Sequence, residues 1–166
     1  MRLICLTAAL LAAAPVFAQD RAACGAGMVC ASDPATVMTA MTAANLNPSL
    51  GKDGQADPMI ESEGAASYRF TVYFYGCEKA RNCDSLRFQV MFDKEEGATA
   101  ALANKWNANH RFVQAAVRDD GRFMLAYDVP TIGGVNTRNF TDILDWWTSM
   151  LGEAGEFFAK EMAGKK

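Results

Sequence analysis

The chain has 166 residues, 51% of them apolar and 21% charged, with a formal net charge of −3. This length and apolar content suffice for one adequately buried core, so a single domain is expected. The mildly acidic balance, with basic residues scattered instead of clustered, argues against nucleic acid or an anionic lipid surface as a partner.

At the start of the chain Arg2 precedes an apolar run from Leu3 to Ala14, followed by Pro15, Val16, Phe17 and Ala18 and then Gln19 and Asp20. This is the charged, apolar and small-residue order of a secretory signal peptide over residues 1–18, with cleavage expected after Ala18. The mature protein is then periplasmic or secreted. The run is short for a membrane span and nothing later approaches one, so no membrane insertion is expected after cleavage. A lipid-bearing cysteine would have to follow the apolar stretch directly, but Cys24 lies beyond Asp20 and Arg21.

Cleavage removes Cys5 and leaves Cys24, Cys30, Cys77 and Cys83, an even count in an exported chain. Both intervals are Cys-x5-Cys, and Gly25 and Gly27 permit a tight first loop. The expected disulfides are therefore 24 to 30 and 77 to 83, while local spacing leaves the two crossed pairings open. The interval is wider than that of zinc knuckles and lacks the Cys-x-x-Cys geometry of redox exchange, so neither a metal nor a cofactor is implied. Residues 19–31 read as a Cys/Gly-rich mature N-terminus, 32–160 as the domain and 161–166 as a flexible tail.

In chain order, Ser32 is placed as a helix N-cap with Pro34 in the first turn, and Val37, Met38, Met41 and Leu46 follow the spacing of a buried stripe. Asn47 and Pro48 close this helix. Leu50 begins an extended segment interrupted by Gly51 to Gly54, a turn composition, and Asp57 to Glu61 reads as a short strand. Asp53 and Asp57 lack the ligand spacing and terminal Glu of a calcium loop and are read as turn carboxylates.

The sequence is most specific between Tyr68 and Phe92. Phe70, Val72 and Phe74 alternate with Thr71, Tyr73 and Tyr75, and Leu86, Phe88 and Val90 alternate with Ser85, Arg87 and Gln89. If Cys77 lies opposite Cys83, cross-strand partners have numbers summing to 160, which pairs Phe74 with Leu86, Val72 with Phe88 and Phe70 with Val90. The cysteine register and the hydrophobic register agree, whereas a one-residue slip would turn every apolar side chain to the wrong face.

A second helix is expected over Thr99 to Ala108. A second hairpin, Arg111 to Arg118 and Arg122 to Val129, closes around Asp119-Asp120-Gly121. From Thr137, Phe140, Ile143, Leu144, Trp147, Met150, Leu151, Phe157 and Phe158 keep a helical period through Gly152 and Gly155. The fold class is α+β: a mostly antiparallel five-stranded sheet with helices packed on it, in the order α-β-β-β-α-β-β-α. Phe70, Val72, Phe74, Leu86, Phe88 and Val90 form the expected core, covered by Ile143, Leu144 and Trp147.

Several strings in this order resemble the YbjN family. They are Asp33-Pro34, Leu50 to Asp53 with Asp57 to Ile60, Phe74 to Cys77 with Cys83 to Leu86, Asn104 to Asn107 with Arg111-Phe112, Asp128-Val129 with Gly133 to Val135, and Phe140 with Trp146 or Trp147. The resemblance spans most of residues 32–158. It implies a fold like that of type III secretion chaperones and a role in sensory transduction or regulation, without catalytic residues to transfer. Chaperones of that fold are dimers that bind extended segments of partner proteins, so a protein partner or a homodimer is the implied association.

Catalytic motifs are lacking: there is no Gly-x-Ser-x-Gly, His-Glu-x-x-His, phosphate loop or dinucleotide fingerprint. A non-enzymatic interaction module is the first reading. Its candidate surface is the non-core face of the hairpin, Tyr73, Tyr75, Arg87 and Gln89, with Tyr73 opposite Arg87, because tyrosine and arginine serve as interface anchors. The second reading is a small-ligand site or hydrolase around the single histidine, His110, with Asn104, Trp106 and Asn107 at the end of the second helix.

Overall fold

The computed structural model describes residues 23–163, so the signal-peptide reading lies outside the described residues. Six strands form one sheet in the order β2-β3-β4-β5-β7-β6, every neighbouring pair antiparallel. They are β2 (Pro48–Lys52), β3 (Pro58–Ala65), β4 (Tyr68–Tyr75), β5 (Ser85–Phe92), β6 (Gln114–Val117) and β7 (Phe123–Pro130). The two-residue strands β1 (Met28–Val29) and β8 (Val135–Asn136) pair separately, and the helices are α1 (Pro34–Ala43), α2 (Ala100–Asn109) and α3 (Thr137–Ala163).

The sheet has six strands where the sequence suggests five. Gly51 and Lys52 do not turn the chain but run on as β2, and the reversal comes one step later, where Asp53 N–H bonds the Asp57 carbonyl. The Asp53 carboxylate accepts the N–H groups of Gln55 and Asp57, so it is consumed in closing the turn, to which Asp57 contributes its backbone N–H and carbonyl. With Pro48 and Gly51, β2 has the composition of an edge strand, which proline and glycine tolerate better than a central one. The N-cap of α1 is also displaced by one residue. Asp33, not Ser32, accepts the Ala35 N–H, which puts Pro34 at the first helical position, where its missing donor costs nothing.

The β4–β5 pairing has the register that the sequence implies: Val72 faces Phe88, Tyr73 faces Arg87 and Phe74 faces Leu86. Gly76 bends the strand out at φ 64°, and Cys77 and Cys83 close the loop as a disulfide, as do Cys24 and Cys30 nearer the N-terminus. All six expected core residues of β4 and β5 are buried. Leu144 and Trp147 of α3 are buried over them and Ile143 is half-buried at the margin. Trp147 packs edge-on to Phe70 and tilted against Phe88.

Residues outside the hairpins are tied in through backbone groups. Thr131 is buried, accepts the Ala31 N–H and donates to the Asp84 carbonyl, linking the N-terminal segment to the β4–β5 loop. Thr137, at the start of α3, donates to the Gly27 carbonyl. At its other end α3 runs past residue 160 to Ala163: Glu161 pairs with Lys105 at 2.5 Å, and Met162 packs on the core.

Helix α3 continues through both glycines, and they differ in why. A Cβ at Gly152 would meet nothing within 4 Å, whereas one at Gly155 would lie 2.6 Å from the Tyr68 hydroxyl. Gly152→Ala is therefore expected to stabilise the protein by about 1 kcal/mol from helix propensity alone. Gly155→Ala should lose that gain; equal rises in midpoint on thermal unfolding would show that Tyr68 does not constrain position 155. Replacing Cys77 and Cys83 by alanine releases a short loop and should cost roughly 2 kcal/mol. An unchanged denaturation midpoint would remove the bridge as a stabilising element.

Candidate functional site

The strands that bury Phe70 to Phe74 and Leu86 to Val90 must present their alternate residues on the other side. All three helices lie on the Phe88 side: α3 through Trp147, α2 through Trp106 against Phe157 and Phe158 of α3, and α1 by its contacts with α3. Tyr73, Arg87 and Gln89 are half-buried on the face left open, and Tyr75 is exposed at 46%. Helix α3 therefore does not cover this face.

Arg87 is the best-held side chain of this face. Its Nε and Nη2 donate to the two carboxylate oxygens of Asp128 on β7 at 2.6 and 2.8 Å, and its guanidinium lies 5.5 Å from the Tyr75 ring centroid. The Asp128 hydrogen bond, against some desolvation, holds the arginine protonated above its ordinary range. Tyr73 stands opposite Arg87 on the backbone, but the cation turns to Asp128 and diagonally to Tyr75. Asp128 is missing from the sequence-derived set because its place depends on β5 pairing with β7 across an intervening helix and strand.

Beside this pair Met91 faces Met124, and Met59 faces Tyr73. A depression of about 230 Å³ lies between Glu61, Glu63, Arg69, Tyr73, Gln89 and Met91. The face thus combines aromatic rings, adaptable methionines and charges of both signs, a composition suited to binding a polypeptide surface.

The second cluster is built differently. Trp106 is fully buried and its Nε1 donates to the Val113 carbonyl at 2.8 Å. Asn107 mimics a neighbouring strand: its Nδ2 donates to the Ala115 carbonyl at 3.0 Å and its Oδ1 accepts the Ala115 N–H at 2.8 Å. His110 stacks on Trp106 with centroids 3.6 Å apart, keeps Nδ1 3.0 Å from the Trp106 carbonyl, and has Glu153 at 4.0 Å from Nε2. Asn104 is exposed on α2, on a different side from the buried Leu102, Ala103 and Trp106. Three of the four residues are thus brought together, around indole packing and backbone closure.

The family model YbjN, described as "Putative bacterial sensory transduction regulator", matches residues 33–160. The chain belongs to the YbjN family. The crystal structure of YbjN from E. coli, described as "a putative transcription regulator", matches with a TM-score of 0.54 at 14% sequence identity, covering 78% of this chain and 95% of that one. At that identity the likeness concerns the fold. A search of curated proteins finds no match.

In this YbjN domain, among the described residues, no group of three or more His, Cys, Asp or Glu side chains is placed to hold a metal ion, and no helix is long and apolar enough to cross a membrane. The two disulfides fit an oxidising compartment. Asn107→Ala would leave the Ala115 N–H and carbonyl without their side-chain partner, at a cost of about 1–3 kcal/mol. Faster amide hydrogen exchange at Ala115 is the expected local sign, and unchanged protection there would contradict the strand-mimicking role.

Proposed function

We propose that the protein is an exported, non-enzymatic regulatory module that binds an extended segment of a partner protein, or a second copy of itself, through the open sheet face of Tyr73, Tyr75, Arg87 and Gln89. The carrying observation is that the helices occupy only one side of the sheet, leaving these residues uncovered beside Asp128 and the Met91–Met124 pair. The family's description as a regulator supports interaction over catalysis. Export rests on the leader-like residues 1–18 and is supported by the two disulfides. A chaperone-like mode, in which the face holds an unfolded segment, is the finer form of the same reading. Nothing in the surroundings of His110 favours the hydrolase alternative, since Trp106 and Asn107 are engaged in closing β6 and its flanks.

The double variant Tyr73→Ala/Arg87→Ala tests this. The Arg87–Asp128 pair is solvent-accessible and should contribute only about 0–1 kcal/mol, so thermal stability is expected to change little. Self-association in light scattering, or partner capture by crosslinking in the periplasm, should fall about tenfold or more if these are anchors. Retention of mass and partners by the doubly substituted protein would place the interaction elsewhere.

A further inference from the structure

At the end of the sheet opposite the Cys77–Cys83 loop, β4, β5, α2 and α3 do not close against one another. A cavity of about 300 Å³ remains, walled by Phe92, Leu102, Phe123, Phe158 and Met162. This is the lower end of the roughly 300–1,000 Å³ range of small-molecule sites. Tyr68 forms one side. Its ring stands edge-on to Phe92 at 5.6 Å, and its hydroxyl reaches the α3 backbone only because residue 155 is glycine.

Among the described residues, the charged side chains that line this cavity are of one sign. Asp93 and Glu95 are exposed at its margin and Glu96 borders the adjoining depression, while among the described residues no basic side chain lines either. Of the nearby cations, Lys105 pairs with Glu161 at 2.5 Å, Arg122 pairs with Asp120 at 2.8 Å and also feels the charge of Asp93, Lys94 lies against Gly121 in the β6–β7 turn, and Lys160 is exposed on α3 and lines neither space. An apolar interior under an acidic rim discriminates among amphiphiles by the sign of the head group.

We infer that this cavity binds a small amphiphile carrying a cationic amine, its aliphatic chain among Phe92, Phe158 and Met162 and its amine at Asp93 and Glu95. The site is separate from the open sheet face, so the two can fail independently. An anionic amphiphile of the same length fits the interior but meets the carboxylates.

The test is a titration of the folded protein with decylamine, decanol and decanoate below their micellar concentrations, followed by the methionine methyl NMR signals. Met162 reports on the cavity and Met59, on the open face, is the internal control. Decylamine should shift Met162 saturably and leave Met59 unmoved, binding about tenfold or more tightly than decanoate. Asp93→Asn with Glu95→Gln, both exposed positions, should bring the two ligands to similar affinity, and Ala98→Phe should abolish the Met162 response by filling the space. Equal binding of decylamine and decanoate to the unmodified protein, joint movement of Met59 and Met162, or no response to any of the three overturns the inference. The rim variant decides the matter even if Ala98→Phe fails to fold.

Discussion

Phe88 is the residue about which the molecule is arranged. It lies on β5, fully buried, and its ring meets Phe70 on β4, Tyr127 on β7, and Phe140 and Trp147 on α3. Two neighbouring strands and the long helix are thus fixed against a single side chain. Aromatic contacts of this kind contribute about 0.5–1.5 kcal/mol each beyond area burial. Trp147 packs against Phe70 and Phe88 with its indole N–H buried and without a hydrogen-bond partner among the described residues. Once Phe88 points inward, alternation forces Arg87 and Gln89 outward, so the core and the candidate surface are two consequences of one register.

The parts of the fold legible in the sequence are those in which two independent signals agree. In β4 and β5 the cysteine spacing and the apolar alternation point to the same pairing, and α3 carries a periodic stripe long enough to survive two glycines. Reading fails where a residue type has two physical uses. Gly51 suggests a turn but lies in an edge strand, where a missing side chain is tolerated; Ser32 and Asp33 are both good caps, and their order relative to Pro34 does not separate them. Asp128 is illegible for another reason: its partnership with Arg87 spans 41 positions and requires the non-sequential β5–β7 pairing.

Several residues that suggest chemistry in the sequence are used to close the backbone. Asp53 caps a turn, Asn107 replaces a missing strand beside Ala115, and His110 lies flat on Trp106 at the end of its own helix. Each is adjacent to a break in secondary structure, where unpaired N–H and carbonyl groups create demand for side-chain partners. The surface residues of β4 and β5 face no such demand, since their backbone groups are already paired on both sides within the sheet. Their side chains remain available for contacts outside the fold.

The two edges of the sheet sharpen that distinction. At one end β2 is five residues long, begins with Pro48 and ends with Lys52, features that oppose the addition of another strand. At the other, Asn107 occupies both the N–H and the carbonyl of Ala115, so α2 shields the outer side of β6. Strand addition would have to displace one of these devices. Docking onto the open face displaces nothing, because Tyr73, Tyr75 and Gln89 can be covered while every ladder hydrogen bond stays in place. If the open face is the docking surface, as proposed, a partner that binds without disturbing the fold is recognised by side chains, through the aromatic rings and the Arg87–Asp128 pair, and not by backbone pairing.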